Sequence, residues 1–136
     1  MLNTLSIECV RKTLINVNSE TTILYRPVGP KELELIAASG YREFPPRLPE
    51  QPIFYPVLNE EYARQIARER NVPASGSGYV TRFAVETEFL ARYAEHQVGT
   101  SAHRELWVPA EELAEMNRNI VGVIEVIAEY KPEAIQ

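Results

Sequence analysis

The sequence predicts an α+β domain. Three observations carry that expectation. Short strand-like runs recur along the chain, about six of them. Short helical patterns with proline openings or polar caps lie between them. The order lacks the regular βαβ alternation that a doubly wound parallel sheet needs.

Residues 1–20 read as an N-terminal arm or a leading strand. Leu5, Ile7 and Cys9 alternate with Ser6, Glu8 and Val10, and Asn16, Asn18 and Ser19 read as a turn. A single domain is expected over 21–131. It opens with a β-rich run at 22–26, closed by Pro27. Pro30 starts a helix whose Leu33, Ile36 and Ala37 share one face, with Gly40 at the C-cap. A short strand is expected at 41–44. The proline-rich segment 45–52 suits a stiff surface loop.

Residues 53–55 form another short strand pattern, ended by Pro56. Asn59 caps a helix running to about Arg70, with Tyr62, Ala63, Ile66 and Ala67 as its apolar stripe. Residues 73–78 read as a flexible connection without a phosphate-loop arrangement. The clearest strand is 79–86. Thr87 is expected to cap a short helix to Tyr93, followed by a polar loop at 94–102. A strand at 104–108 carries Glu105. Pro109 opens a helix that sends Leu113 and Met116 to the core. The chain then returns in a strand at 120–130, with Gly122 at a bulge.

Composition bounds the function. The chain has 136 residues, 45% hydrophobic and 24% charged, which suits one globular domain. It contains no apolar run of spanning length and no signal-peptide pattern, so a non-membrane, cytoplasmic setting is expected. The single Cys9 fits a reducing compartment. The net charge of -5 disfavours nucleic acid and tilts toward a small-molecule or protein partner. Arg64, Arg68 and Arg70, mixed with Glu60, Glu61 and Glu69, read as a solvated helix face.

Two charged groups stand out. Glu105 lies within an apolar strand, on one face with Trp107, while Leu106, Val108 and Arg104 take the other. It is either paired with Arg104 or another surface base, or a carboxylate that accepts a hydroxyl hydrogen bond and stabilises a developing cation. Arg26 is either a structural salt bridge or a held guanidinium that grips phosphate or carboxylate. Tyr55 and Tyr62 are core residues or stacking partners for a flat ring, as are Tyr79 and Trp107. His96 and His103 lack the spacing of a metal motif, so no metal is expected.

In order, these pieces are Tyr25-Arg26, the helix ending at Gly40, Ile53-Phe54-Tyr55, the helix with Ala63 and Ala67, the strand at 79–85, Glu105 to Pro109, and the final strand at 122–127. Together they resemble the ADP-ribosyltransferase fold over residues 22–130. The chain also resembles small bacterial proteins labelled ADP-ribosylation/crystallin J1. The glycohydrolases of that label are all-helical and use magnesium-binding aspartates, whereas this chain contains no Asp.

The resemblance implies split antiparallel or mixed sheets with short helices, and NAD as substrate. It implies that Arg26 holds the dinucleotide and that Glu105 supports the nicotinamide ribose as the glycosidic bond breaks. It implies that Tyr55, Tyr62 or Trp107 flank the nicotinamide ring. The chain departs from the pattern in two places. Pro56 and Val57 stand where a Ser follows the aromatic residue, and His103 stands where a second acidic residue precedes the Glu.

The leading expectation is therefore NAD-dependent ADP-ribosyl transfer to an acceptor, or NAD glycohydrolysis, through Arg26 and Glu105. The alternative is a catalytically degenerate member that binds a nucleotide or a protein partner without turnover. A phosphotransferase-like enzyme acting on RNA is disfavoured, because no Lys lies between Lys31 and Lys131.

Overall fold

The computed structural model describes residues 20–100 and 103–132. The expected N-terminal arm lies outside them, apart from Glu20.

β1 (Thr21–Val28) continues through Pro27 instead of stopping there. Tyr25 exchanges both backbone hydrogen bonds with Val57, at 2.9 and 2.8 Å. By alternation, Pro27 aims its backbone nitrogen to that same outer side, so its missing donor costs the main ladder nothing.

α1 (Pro30–Ala38) begins at proline and closes through Gly40, where φ is 77°. The Gly40 N–H donates to the Ala37 carbonyl at 2.9 Å and the Tyr41 N–H to the Ile36 carbonyl at 3.0 Å, which satisfies the last helical carbonyls. Tyr41 is also left-handed, with φ of 60°. The strand expected at 41–44 therefore does not form. Phe44 is fixed instead by Asn117, whose side-chain amide accepts from its N–H and donates to its carbonyl, both at 3.0 Å. Residues 45–52 run without helix or strand, as their prolines require.

β2 (Ile53–Phe54) is only two residues long. Asn59 accepts from the Tyr62 N–H at 2.9 Å and starts α2 (Glu60–Ile66). A π-helical turn, Ala67–Asn71, follows. It leads into α3 (Val72–Ser75), which occupies much of the segment expected to be flexible.

β3 (Gly78–Glu86) is the central strand. Gly78 is required by close approach: a Cβ there would lie 2.5 Å from the Ala67 carbonyl oxygen. α4 (Thr87–Leu90) is shorter than expected and starts from Glu86. Thr87 does not cap it, because its hydroxyl is hydrogen-bonded to that of Thr22 at 2.7 Å.

β4 (Glu95–Gln97) arises where the sequence suggested only a loop. It pairs antiparallel with β5 (Arg104–Leu106). β6 (Val108–Pro109) pairs with β2. A 3-10 turn, Ala110–Glu112, then leads into α5 (Leu113–Arg118), which buries Leu113 and Met116 as expected. β7 (Ile120–Tyr130) closes the domain. Gly122, with φ of 83°, sits in its bulged stretch, where the register against β3 shifts.

The result is a small α+β domain with antiparallel sheets and short helices. The main sheet has the order β1-β3-β7. Val57 bridges Tyr25 on one side and Glu105 on the other. This isolated splice links the main sheet to the β4–β5 hairpin. Apolar residues fill both sides. On the α1 side, Leu24, Val28, Ile36, Phe54, Phe83 and Leu106 belong to one cluster. On the α2 side, Val57, Tyr62, Ala63, Ala67 and Val80 belong to another.

Candidate functional site

Strand alternation decides which charged groups can meet. Along β1, Leu24 and Val28 belong to the α1-side cluster, while Tyr25 packs on the α2-side cluster. Arg26 therefore faces α1. Its Nε and Nη2 donate to both carboxylate oxygens of Glu32, at 2.7 and 2.9 Å. Its guanidinium carbon lies 4.4 Å from the centre of the Phe54 ring. Only 9% of the residue is exposed.

Glu105 takes the other direction. It pairs across the strands with Val57 and with His96, and Val57 pairs with Tyr25. Directly paired residues share a face, so Tyr25, Val57, Glu105 and His96 all project toward α2. Leu106 and Val108 are buried in the α1-side cluster, which leaves Glu105 and Trp107 together, as the sequence indicated. Arg26 and Glu105 thus lie on opposite faces of the sheet. The structure does not bring together the two groups that the resemblance placed in one site.

The Glu105 face has its own composition. Trp107 Nε1 donates to the Glu105 carboxylate at 2.9 Å. The His96 ring stacks on the indole at 3.8 Å with an 8° interplanar angle. Tyr55 meets Trp107 edge-on, at 6.2 Å and 85°. Tyr55 and Trp107 are both exposed and form a right-angled aromatic corner, not two parallel plates. Tyr62 is buried and stacks on His103, at 4.2 Å and 9°. Burial pushes the Tyr62 phenol above its ordinary pKa, and the nearby Glu105 charge adds to the shift, while Arg70 opposes it. Tyr62 therefore senses both charges.

No protein-family model, curated protein or solved structure matches the chain.

A cavity of about 260 Å³ opens beside the Tyr62–His103 stack, lined by Gln65, Ile66, Glu69, Arg70, Val98 and Gly99 as well. Among the described residues, Arg70 is the arginine that lines this cavity. Its neighbours Arg64 and Arg68 are occupied, by Glu60 and Glu61 respectively and both by the Tyr130 hydroxyl. The sequence alone suggests one solvated face for all three arginines. The spacing Tyr62, Gln65, Ile66, Glu69, Arg70 was the available signal, since those positions fall on one side of a helix.

Arg104, which shares β5 with Glu105, pairs with Glu95 at 3.1 Å. Among the described residues, no group of His, Cys, Asp or Glu side chains is arranged to hold a metal ion. No helix among them is long and apolar enough to cross a membrane.

Chemically, the Glu105 face offers a fixed carboxylate, an exposed aromatic corner and a nearby guanidinium. A carboxylate beside an indole favours a flat, electron-poor or cationic ring, and hydroxyls that donate. A guanidinium favours phosphate or carboxylate oxygens.

Proposed function

We propose that this domain has an ADP-ribosyltransferase-like fold and binds a nucleotide of the NAD type on the Glu105 face without turning it over. The carrying observation is the separation of Arg26 from Glu105 by the sheet, with Arg26 already closed onto Glu32. In this reading Arg70 supplies the phosphate contact that the resemblance gave to Arg26. Glu105 accepts ribose hydroxyl hydrogen bonds. Trp107 and Tyr55 form the corner against which the nicotinamide ring rests, and Tyr62 supports the floor.

The position of Pro56 weighs against turnover. Pro56 occupies the place of the hydroxyl residue, and its carbonyl accepts from the Leu106 N–H at 2.9 Å. It has no side-chain donor to offer a ribose.

The test is calorimetric titration with NAD and with ADP-ribose, alongside a chromatographic assay of NAD consumption. Both ligands are expected to bind, with no nicotinamide released. Arg70→Ala and Glu105→Gln are each expected to weaken binding by about tenfold, the usual worth of a charge-assisted hydrogen bond. Arg26→Ala, if it folds, is expected to leave unchanged the affinity of the site that Glu105→Gln weakens. Absence of binding at millimolar NAD and ADP-ribose overturns the proposal. Nicotinamide release that depends on Glu105 restores the transferase or glycohydrolase reading.

A further inference from the structure

The α1 face carries a second charged cluster, independent of the Glu105 face. Arg47 reaches it from the proline-rich loop, where Pro46 and Leu48 are exposed. Its guanidinium carbon lies 5.8 Å from the centre of the Phe54 ring, the same ring that Arg26 covers at 4.4 Å. Arg47 Nε is buried and has no hydrogen-bond partner among the described residues. A buried, unmatched donor on a charged group is costly, so native structures nearly always supply an acceptor.

The neighbourhood explains which acceptor is missing. Arg26 repels Arg47, and Glu32, the carboxylate among the described residues that acts on Arg47, already accepts from Arg26 through both oxygens. Two guanidiniums therefore share one carboxylate, leaving one positive charge in excess. Burial and the Arg26 charge both act against the Arg47 cation, with Glu32 and the Tyr55 phenol opposing them. Glu32 takes the Nε and Nη2 edge of Arg26, so Nη1 remains for a further acceptor.

We propose that Arg47, with Arg26 behind it, is an oxyanion site on the α1 face that takes a phosphate- or carboxylate-bearing small molecule. One bound monoanion balances the excess charge. It also meets the unmatched donor edge of Arg47, after a small adjustment of the loop that opens the buried Nε. Both guanidiniums are held against Phe54 and are partly ordered before binding, which lowers the entropic cost.

The experiment follows the arginine Nε–H resonances of the full chain by NMR, together with the melting temperature. Inorganic phosphate and acetate are titrated separately at an ionic strength held constant with chloride. The Arg47 Nε–H signal is expected to move saturably at tens of millimolar anion or below, with a rise in melting temperature. A response to phosphate alone assigns a phosphate ligand; a response to acetate alone assigns a carboxylate. Arg47→Gln is expected to abolish the response and to be at least as stable as the parent in chloride, because it removes the repulsion with Arg26. Arg47→Lys, which keeps the charge but loses the fork, is expected to weaken the response by about tenfold. The proposal is overturned if Arg47→Gln still responds like the parent, or if neither anion shifts the resonance more than chloride does.

Discussion

At the scale of single residues, two tyrosines report their surroundings through their protons. The Tyr93 phenol is pushed up, first by burial and then by its short hydrogen bond to Glu112, 2.5 Å long. Tyr62 is pushed up from the ordinary 10.0 by burial and by Glu105. A phenol whose pKa is higher in the folded protein contributes stability that is fully present below its unfolded value. That contribution is lost as pH rises through the folded value. Stability is therefore expected to fall as pH climbs above about 10. Phenolate absorbance during an alkaline titration is expected to show Tyr62 and Tyr93 ionising above the ordinary phenol range. Tyr93→Phe is expected to flatten the alkaline fall. An unchanged stability–pH curve in that variant refutes the assignment. Glu105 was recognisable at this scale because a carboxylate within an apolar strand stands out, and alternation correctly joined it to Trp107. Its relation to Arg26 was not recognisable, because it depends on the parity set by Val57, a pairing no local pattern encodes.

At the scale of elements, the strand patterns at 79–86 and 120–130 gave β3 and β7 nearly whole, including the bulge at Gly122. Their β-branched and aromatic content and their length made them legible. β4 was hidden because Glu95, His96 and Gln97 have no strand character of their own. They are extended only because β5 lies opposite. The strand expected at 41–44 failed for a local reason, since the helix cap extends its left-handed turn into Tyr41. Gly78 exposes another dependence on neighbours. Its Cα faces the π-helical turn so closely that an added methyl meets the backbone of Ala67 at 2.5 Å and Asn71 Cβ at 2.9 Å. Backbone cannot swing aside as a side-chain tip can. Gly78→Ala is expected to cost about 1–3 kcal/mol in chemical denaturation. A change below a few tenths of a kcal/mol would show that the turn can retreat from β3.

At the scale of the whole molecule, the antiparallel ladder is uneven. β3 is paired along most of its length on both sides, interrupted on the β7 side at the bulge. The β4–β5 hairpin reaches the main sheet through residues 56–58, with hydrogen bonds from Tyr25 to Val57, from Leu58 to Arg104 and from Leu106 to Pro56. Native-state hydrogen exchange is expected to show the amides of β3 opening only with global unfolding, while those of the hairpin open earlier as a separate unit. Val57→Pro deletes the Val57 N–H bond to Tyr25 and is expected to widen that gap. Equal protection of both parts in the parent protein would mean that the splice is not a weak point.

The placement of Arg26 and Glu105 on opposite faces has a consequence for heredity. The arginine cluster draws on β1, α1 and the proline-rich loop, and the carboxylate corner on β4, β5 and residues 55–62, with Val57 joining the two. A substitution can therefore erase one surface while its sequence neighbours preserve the other. The arginine cluster and the carboxylate corner are free to be gained, altered or lost separately in descendants of this chain. A one-residue insertion just before Val57 is the exception, because that pairing sets which way Glu105 faces relative to Tyr25.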